Sequence, residues 1–397
     1  MLVEIHILQN HAPSNLNRDD TGSPKECTFG GVKRARISSQ CLKRSIRRSE
    51  IFRTAMAGHL ATRTRQLPEL VQSRLLAEGL PAELAAVAAK KASGFGTSEG
   101  KEQEALRTAQ TMFLTEADIA AVVAVLGAAA REAGGAKALE KVPAKDLQAQ
   151  AQQAGFRPIS VDIGLFGRMT TSEAFRDVEA AAQVAHALST HKVDHEFDYF
   201  TAVDDLKEDA VGDAEEDAGA DMLGDVEFNS ACYYKYFSVD VAGLVANLTG
   251  ASMGRTVPAE EQAAAETLAA EAVAALLRAA VLTTPSGKQH SFAAHQLPAA
   301  VLVELRPVAT PVSYANAFVQ PARQRGETSL VQDSLLKFTA HVEALTAGFN
   351  LPAVGRFLLA PESAVEIGGV ETVGDLHTLC ARLTAALASG EKVGSHG

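Results

Sequence analysis

Ten lysines and arginines lie between Arg18 and Arg53, against four acidic residues, in a chain whose formal net charge is −11. Within that stretch, the residues from Gln40 fall on a helical wheel at roughly 100° per residue with Leu42 and Ile46 on one side. Lys43, Arg44, Arg47 and Arg48 spread over the opposite arc. One face is suited to pack on a core and the other to present four cations. Ser38 and Ser39 stand where an N-cap belongs, and with Gln40 they add donors at a helix terminus that attracts anions. Upstream, Gly30–Gly31 would let backbone approach a ligand closely, and Lys33, Arg34 and Arg36 add charge. Cations along a face, donors at its end and a glycine pair suit a phosphodiester backbone better than a single phosphate. Neither a Walker A motif nor a G-x-G-x-x-G is present.

Other residue groups suggest other chemistry. Asp19–Asp20 is a carboxylate pair in a loop, and a Mg²⁺-dependent RNA endonuclease would need such carboxylates to converge, with Asp162 as the obvious third. The plainer expectation is that Asp19 and Asp20 hold the loop by turn hydrogen bonds or by pairing with Arg18 or Arg34. His186, His191 and His195, interleaved with Asp194, Glu196 and Asp198, look superficially like a metal cluster. They lack the H-E-x-x-H pattern, so structural or capping roles are expected and no metal or other cofactor is assigned. Ser38, Ser39 and Cys41 have no His or Asp placed to activate them as nucleophiles. Tyr233, Tyr234 and Tyr236 lie on an alternating segment, where they could stack bases or fill a core; Phe237 is expected in the core.

The elements that must position these groups can be read coarsely. At 397 residues the chain should form one elaborated domain or two. It holds no run of eighteen apolar residues and no basic leader before an apolar stretch, so neither a membrane span nor a signal peptide is expected. Four scattered cysteines suit a reduced cytoplasmic protein. "LVEIHIL" alternates as a half-buried first strand, with Val3, Ile5 and Ile7 inward and Glu4 and His6 outward. A long loop over 10–37 precedes the basic helix. Residues 60–157, rich in Ala, Leu, Glu, Gln and Lys, predict a helical insertion. "PISVDIGLFG" (158–167) predicts a second strand, 172–189 a helix, 229–241 a third strand, 258–282 a long helix and 299–307 a fourth strand. Residues 204–225 carry ten acidic residues against one lysine and read as a loop or an extended arm. Without the insertion the order is strand, helix, strand, strand, helix, strand: the split βαβ, or ferredoxin-like, order of an α+β fold.

The blocks "SNLNRDD" (14–20) and "FGGVKRARISSQCLKRSIRRS" (29–49) closely resemble the backbone subunit of the type I-E CRISPR surveillance complex, Cascade (the CasC family). "GRMTTSEAF" (167–175), "HALSTHKVDHEFDYFTAVDDL" (186–206) and "SYANAF" (313–318) continue the resemblance in order. It implies a modified RNA-recognition palm over 1–59, 158–191 and 229–397, the last with a C-terminal extension, a helical fingers insertion over 60–157 and an extended thumb over 192–228. It further implies a non-catalytic subunit that binds crRNA, stacks with further copies of itself along the spacer and displaces bases at intervals. The rest of the guide pairs with target DNA, and other Cascade subunits cap the filament. The residues that match are Arg18, Lys25, Ser38, Gln40, Lys43, Arg44, Arg47 and Arg48 for the guide backbone. Phe200 and Thr201 match the wedge at the displaced base, Met169 the contact with the neighbouring stacked base, and Lys288 a further backbone or partner contact. An aromatic or thioether wedge replaces stacking without selecting a base. The acidic run after Phe200 departs from the expected thumb tip. A basic-helix-to-acidic-arm assembly without RNA is the third reading.

Overall fold

The computed structural model describes residues 1–153, 155–202 and 222–389. Most of the acidic arm, 203–221, lies outside the described residues. The chain divides into two compact units, one of residues 1–52, 184–238 and 274–397, the other of 53–183 and 239–273.

The first unit is built on a mostly antiparallel sheet. Its strands are β1 (Leu2–Ser14), β2 (Glu26–Phe29), β3 (Val32–Ile37), β7 (Ala187–Ser189), β9 (Met222–Asp240), β10 (Ala300–Arg306), β11 (Gly355–Leu359) and β12 (Glu371–Thr372). Their order across the sheet is β12-β11-β10-β1-β9-β7-β3-β2. β1 runs antiparallel to β10 with Ile5 opposite Val303, and β10 antiparallel to β11 with Val303 opposite Phe357. β8 (Glu196–Ala202) pairs only with the N-terminal half of β9, forming a two-stranded ribbon.

β1 differs from its expected half-buried form, since Glu4 and His6 are as buried as Val3, Ile5 and Ile7. The reason is a second layer over the polar face. Tyr314, Phe318 and Phe338 cover it, the last on the helix Leu330–Gly348, together with Tyr234 and Tyr236 of β9. A buried carboxylate must be paired. Glu4 accepts from the Tyr236 hydroxyl and the Val312 amide, both at 2.6 Å, and pairs with Arg306. Glu304, opposite Glu4 in the ladder, takes Arg306 at 3.0 Å, Arg356 at 2.7 Å and the Tyr314 hydroxyl at 2.8 Å.

The basic helix α1 (Ser39–Arg48) forms as its periodicity predicts, with Leu42 and Ile46 buried; α2 (Glu50–Ala55) follows it. Where a structureless loop is expected over 10–37, β1 continues to Ser14 and β2–β3 make a hairpin turning at Gly30–Gly31. Both glycines have positive φ, +60° and +79°. A Cβ on Gly30 would stand 2.3 Å from the Val319 carbonyl oxygen. Gly30 therefore serves a close approach of the chain to itself, not to a ligand.

The second unit is mainly helical. α3 (Leu67–Ala77), α4 (Ala82–Ser93), α5 (Glu116–Glu132), α6 (Ala136–Glu140) and α7 (Ala144–Gln153) surround a core of Val71, Leu75, Phe95, Val122, Leu126 and Leu147. A short ladder of β4 (Thr62–Thr64) and β5 (Met112–Leu114) joins them. Thr115 and Asp118 start α5 with a reciprocal capping box.

Two expected elements are replaced. The second strand expected over 158–167 is instead a helix, α8 (Val161–Phe166). Val161 to Leu165 are all buried, so the alternation of Ile159, Val161 and Ile163 marks no exposed face. Asp162 accepts the Ala61 amide, and Gly164 lets the helix Val241–Thr249 approach closely. The helix expected over 172–189 is replaced by a bridge of Arg168 to Val178 and by β6 (Ala182–Val184) and β7. β7 fills the slot between β3 and β9, and that pairing overrides the helical preference of the alanine-rich segment that leads into it.

Candidate nucleic-acid interface

In the first unit, the loop 15–25 is fixed by its own polar side chains. Asn15 Nδ2 donates to the carbonyls of Gly22 and Glu227, both at 2.9 Å. Asn17 accepts the Ser38 amide on Oδ1 and the Lys25 amide on its carbonyl, both at 2.8 Å. Asp19 Oδ1 accepts from the Thr21 hydroxyl at 2.7 Å and from the amides of Thr21 and Ser23 at 2.9 and 3.0 Å. The Thr21 hydroxyl, with these amides, holds the Asp19 carboxyl below its ordinary pKa. Asp19 therefore closes its own turn, and Arg34 is not its partner.

Arg34 is fully buried and donates to the carbonyls of Phe29, Ser189 and Phe318, the last at 2.7 Å. Burial lowers its pKa, and it staples three segments instead of adding to the surface charge. Lys33 pairs with Glu26 at 2.7 Å, and Arg36 meets His186 at 3.1 Å.

Eight of the sequence-derived residues lie on this fixed loop, the hairpin beside it or α1. Arg18, Arg44 and Arg48 are exposed, as is Gln40 at the helix start. Lys25 and Lys43 are half-buried, and burial lowers the Lys43 pKa. Arg47 is half-buried and already has a partner. Ser38 is the N-cap: its side chain is buried and its oxygen accepts the Cys41 amide at 3.2 Å. It positions α1 and offers little to a ligand. Arg18 and Arg44 both line a groove of about 560 Å³, with Asp19, Asp20, Cys41, Ser45 and Gly287. A Cβ on Gly287 would lie 2.5 Å from the Leu16 carbonyl, so the 286–288 turn rests on this loop. Lys288 follows with φ of +50°, a strained conformation for a residue with a side chain, at the start of the short helix Gln289–Phe292.

The wedge candidates lie elsewhere. Phe200 and Thr201 are exposed on β8, opposite Gly224 and Leu223. The Phe200 ring covers Gly224 so closely that a Cβ there would meet it at 2.4 Å, yet the ring remains 43% exposed. An aromatic over a glycine stiffens a ribbon. Met169 belongs to the second unit and is 95% exposed, on a turn held by the Thr170 amide bonding Asp177 at 2.7 Å. An exposed thioether on a fixed turn is available to stack.

Most residues on which the rival chemistries would depend are engaged in holding the fold; Asp20 is exposed on the groove. His191 accepts the Cys232 amide at 3.2 Å through Nε2 and bonds the Lys192 carbonyl through Nδ1. His195 bonds Glu227. Among the described residues, the grouping with metal-like spacing is Glu4, His6 and Glu304. Its oxygens are taken by two arginines and two tyrosines. Burial alone would raise the Glu304 pKa, but His6, Arg306 and Arg356 bring it down to about 2. This is a structural ion network. Tyr233, Tyr234 and Tyr236 are all buried and bond Asn229, His6 and Glu4, so they are core and do not stack bases. Asp162 is buried beneath the Ala61 amide.

Sequence reasoning missed two cationic features. Lys235 is buried within the alternation of β9, with Gln9 as its hydrogen-bond partner. Arg157, Arg168, Arg176 and Arg255 share a cavity in the second unit. They are scattered singly along the chain, and no charge run marks them.

Comparison with solved structures gives a chain of a "CRISPR RNA-guided surveillance complex, pre-nicking" with a TM-score of 0.78 and 27% identity, covering 98% of this chain and 100% of that one. A chain of a second "CRISPR RNA-guided surveillance complex" has a TM-score of 0.68 at 24% identity, covering 97% and 100%, and shares the fold. No curated protein matches the sequence. The CT1975-like protein family matches residues 3–380. Matched over nearly its whole length, and in agreement with the Cascade resemblance of its sequence blocks, the chain belongs to the CT1975-like protein family.

Proposed function

We propose that the chain is the backbone subunit of a Cascade complex, in which several copies coat a crRNA spacer and grip its phosphates. The observation that carries this reading is the groove where Arg18 and Arg44 stand exposed on a loop and helix fixed by Asn15, Asn17, Asp19 and Ser38. A rigid surface with exposed guanidiniums suits a backbone of any sequence, because phosphate contacts position without specifying. Pairing of the displayed guide with target DNA would then supply specificity, as in other RNA-guided effectors.

The strand order β10-β1-β9-β7 supports an RNA-recognition-like palm, with β7 in the place expected of the second strand. The fingers would be the helical region 60–157. The thumb, 192–228, would be the β8–β9 ribbon with Phe200 and Thr201 beside a displaced base and Met169 against its stacked neighbour. Other Cascade subunits would cap the stack. No catalytic step is assigned: Asp19 is engaged in its own turn, and Asp20 is exposed beside it. Among the described residues no helix is long and apolar enough to cross a membrane; a cytoplasmic location is part of the proposal.

The test is assembly on a guide-length RNA, followed by native mass measurement with and without Mg²⁺. Intact RNA bearing several copies is expected. Single-copy binding only, or RNA shortened when Mg²⁺ is added and spared in Asp19→Asn or Asp20→Asn, would overturn the reading.

A further inference from the structure

The arginine cavity of the second unit encloses about 250 Å³. At its base, Asp118 is 1% exposed and serves two guanidiniums, Arg157 Nε at 3.1 Å and Arg168 Nη1 at 2.6 Å. Arg157 and Arg168 also donate to backbone carbonyls, Ala174 at 2.5 Å and Arg176 at 2.9 Å, which fix both planes. At the mouth, Arg255 pairs with Glu261 and lies 4.7 Å from the centre of the Phe156 ring. Arg176 is exposed and makes no ion pair among the described residues; its Nη1 lies 3.7 Å from the Met253 sulfur. Four guanidiniums thus face two carboxylates, Asp118 and Glu261, and two positive charges are unmatched.

Such an excess around a partly enclosed space is an anion site. The rim narrows the class of anion. Phe156 is 39% exposed, its ring seated on Gly250, and Met253 stands beside Arg176. A cation next to an aromatic ring and a thioether suits a phosphate whose neighbouring base offers a flat face to stack, and suits a free carboxylate less well. Arg168 also lines a second, narrow cavity together with Met169, Thr170 and Thr171. The two cavities thus share one lining residue, Arg168, and the second is lined by the exposed thioether.

We infer that this cavity holds a backbone phosphate of single-stranded nucleic acid, at a site separate from the α1 face. The inference rests on the nucleic-acid reading above. The strand supplying the phosphate is either the guide RNA or the DNA that pairs with it, and the experiment separates them.

Arg176→Gln removes one exposed charge and leaves the buried pair intact. Full-length wild type and variant are titrated across a salt series with a guide-length single-stranded RNA. The RNA-loaded proteins are then titrated with complementary single-stranded DNA. In one arm the variant should bind about fivefold more weakly at 0.1 M salt, with a log–log salt slope shallower by about 0.7. The arm that shows it names the strand. Arg176→Lys should restore most of the slope. If the wild type binds in both arms and Arg176→Gln matches it in affinity and slope, the inference is overturned. Loss of self-association with both slopes unchanged overturns it in favour of an acidic protein segment as occupant. A wild type that binds neither strand removes the proposed function first, and this inference with it.

Discussion

Replacing Arg18 and Arg44 by glutamine tests whether the groove between them grips a phosphate chain. Both side chains are exposed and line the same groove. Surface substitutions of this kind change stability by no more than about 0.5 kcal/mol. Each cation on a single-strand phosphate contributes about 0.7 to the slope of log affinity against log salt. Losing two should flatten the slope by about 1.4. Relative to 1 M salt, that is a loss of about 25-fold at 0.1 M, shrinking to about 2.6-fold at 0.5 M. Fluorescence anisotropy of a labelled guide RNA, with wild type and double variant measured in parallel, reads both numbers. A loss independent of salt would mean that the groove acts through shape or hydrogen bonds. Superimposable titrations would remove the groove from the interface altogether.

Further outcomes follow from the same geometry. Phe200→Ala uncovers Gly224 and should weaken multi-copy assembly on RNA more than single-copy binding; equal loss in the two assays would confine the ring to stiffening the ribbon. Arg306→Met leaves Glu4 and Glu304 facing each other in the core and should cost about 3–5 kcal/mol in denaturant unfolding; a loss under 1 kcal/mol would contradict the network. Lys235 has its pKa lowered by burial from 10.5 to about 8. Between those values the unfolded chain holds a proton that the folded chain has released, so this residue's contribution to stability rises with pH across the window and its penalty is complete below pH 8. Lys235→Met should therefore be the more stable protein at pH 7, by as much as about 3 kcal/mol, with the advantage shrinking by pH 10. An advantage that does not change with pH would refute the assignment.

How much of this was legible in the sequence depended on how local each feature was. α1 could be read because Leu42, Ile46 and the Ser38 cap lie within one stretch of chain. The alternation of 229–241 marked β9, but the partners that make its tyrosines core, such as Glu4 and His6, come from the far end of the chain. Lys33 and Arg34 are neighbours of like charge with opposite fates. The carbonyls that bury Arg34 belong to segments near 189 and 318, beyond any local pattern. α8 was read as a strand because uniform burial on all sides erases periodicity. The cavity arginines carry no local signature, since their shared carboxylate, Asp118, is distant in sequence from Arg157 and Arg168.

β9 does two jobs with one uninterrupted backbone. Its inner part sets Tyr234 and Tyr236 into the core, and its outer part places Gly224 under Phe200. A slip of one residue would turn every side chain to the opposite face, so the core acts as a gauge that indexes the ribbon. The pairing of β8 on β9 is thereby held in one register. In a stack such as we propose, errors in reach would accumulate along the series, and the spacing between displaced bases would drift. Keyed to the same buried tyrosines in each copy, the spacing in such a stack would be calibrated before any RNA is bound.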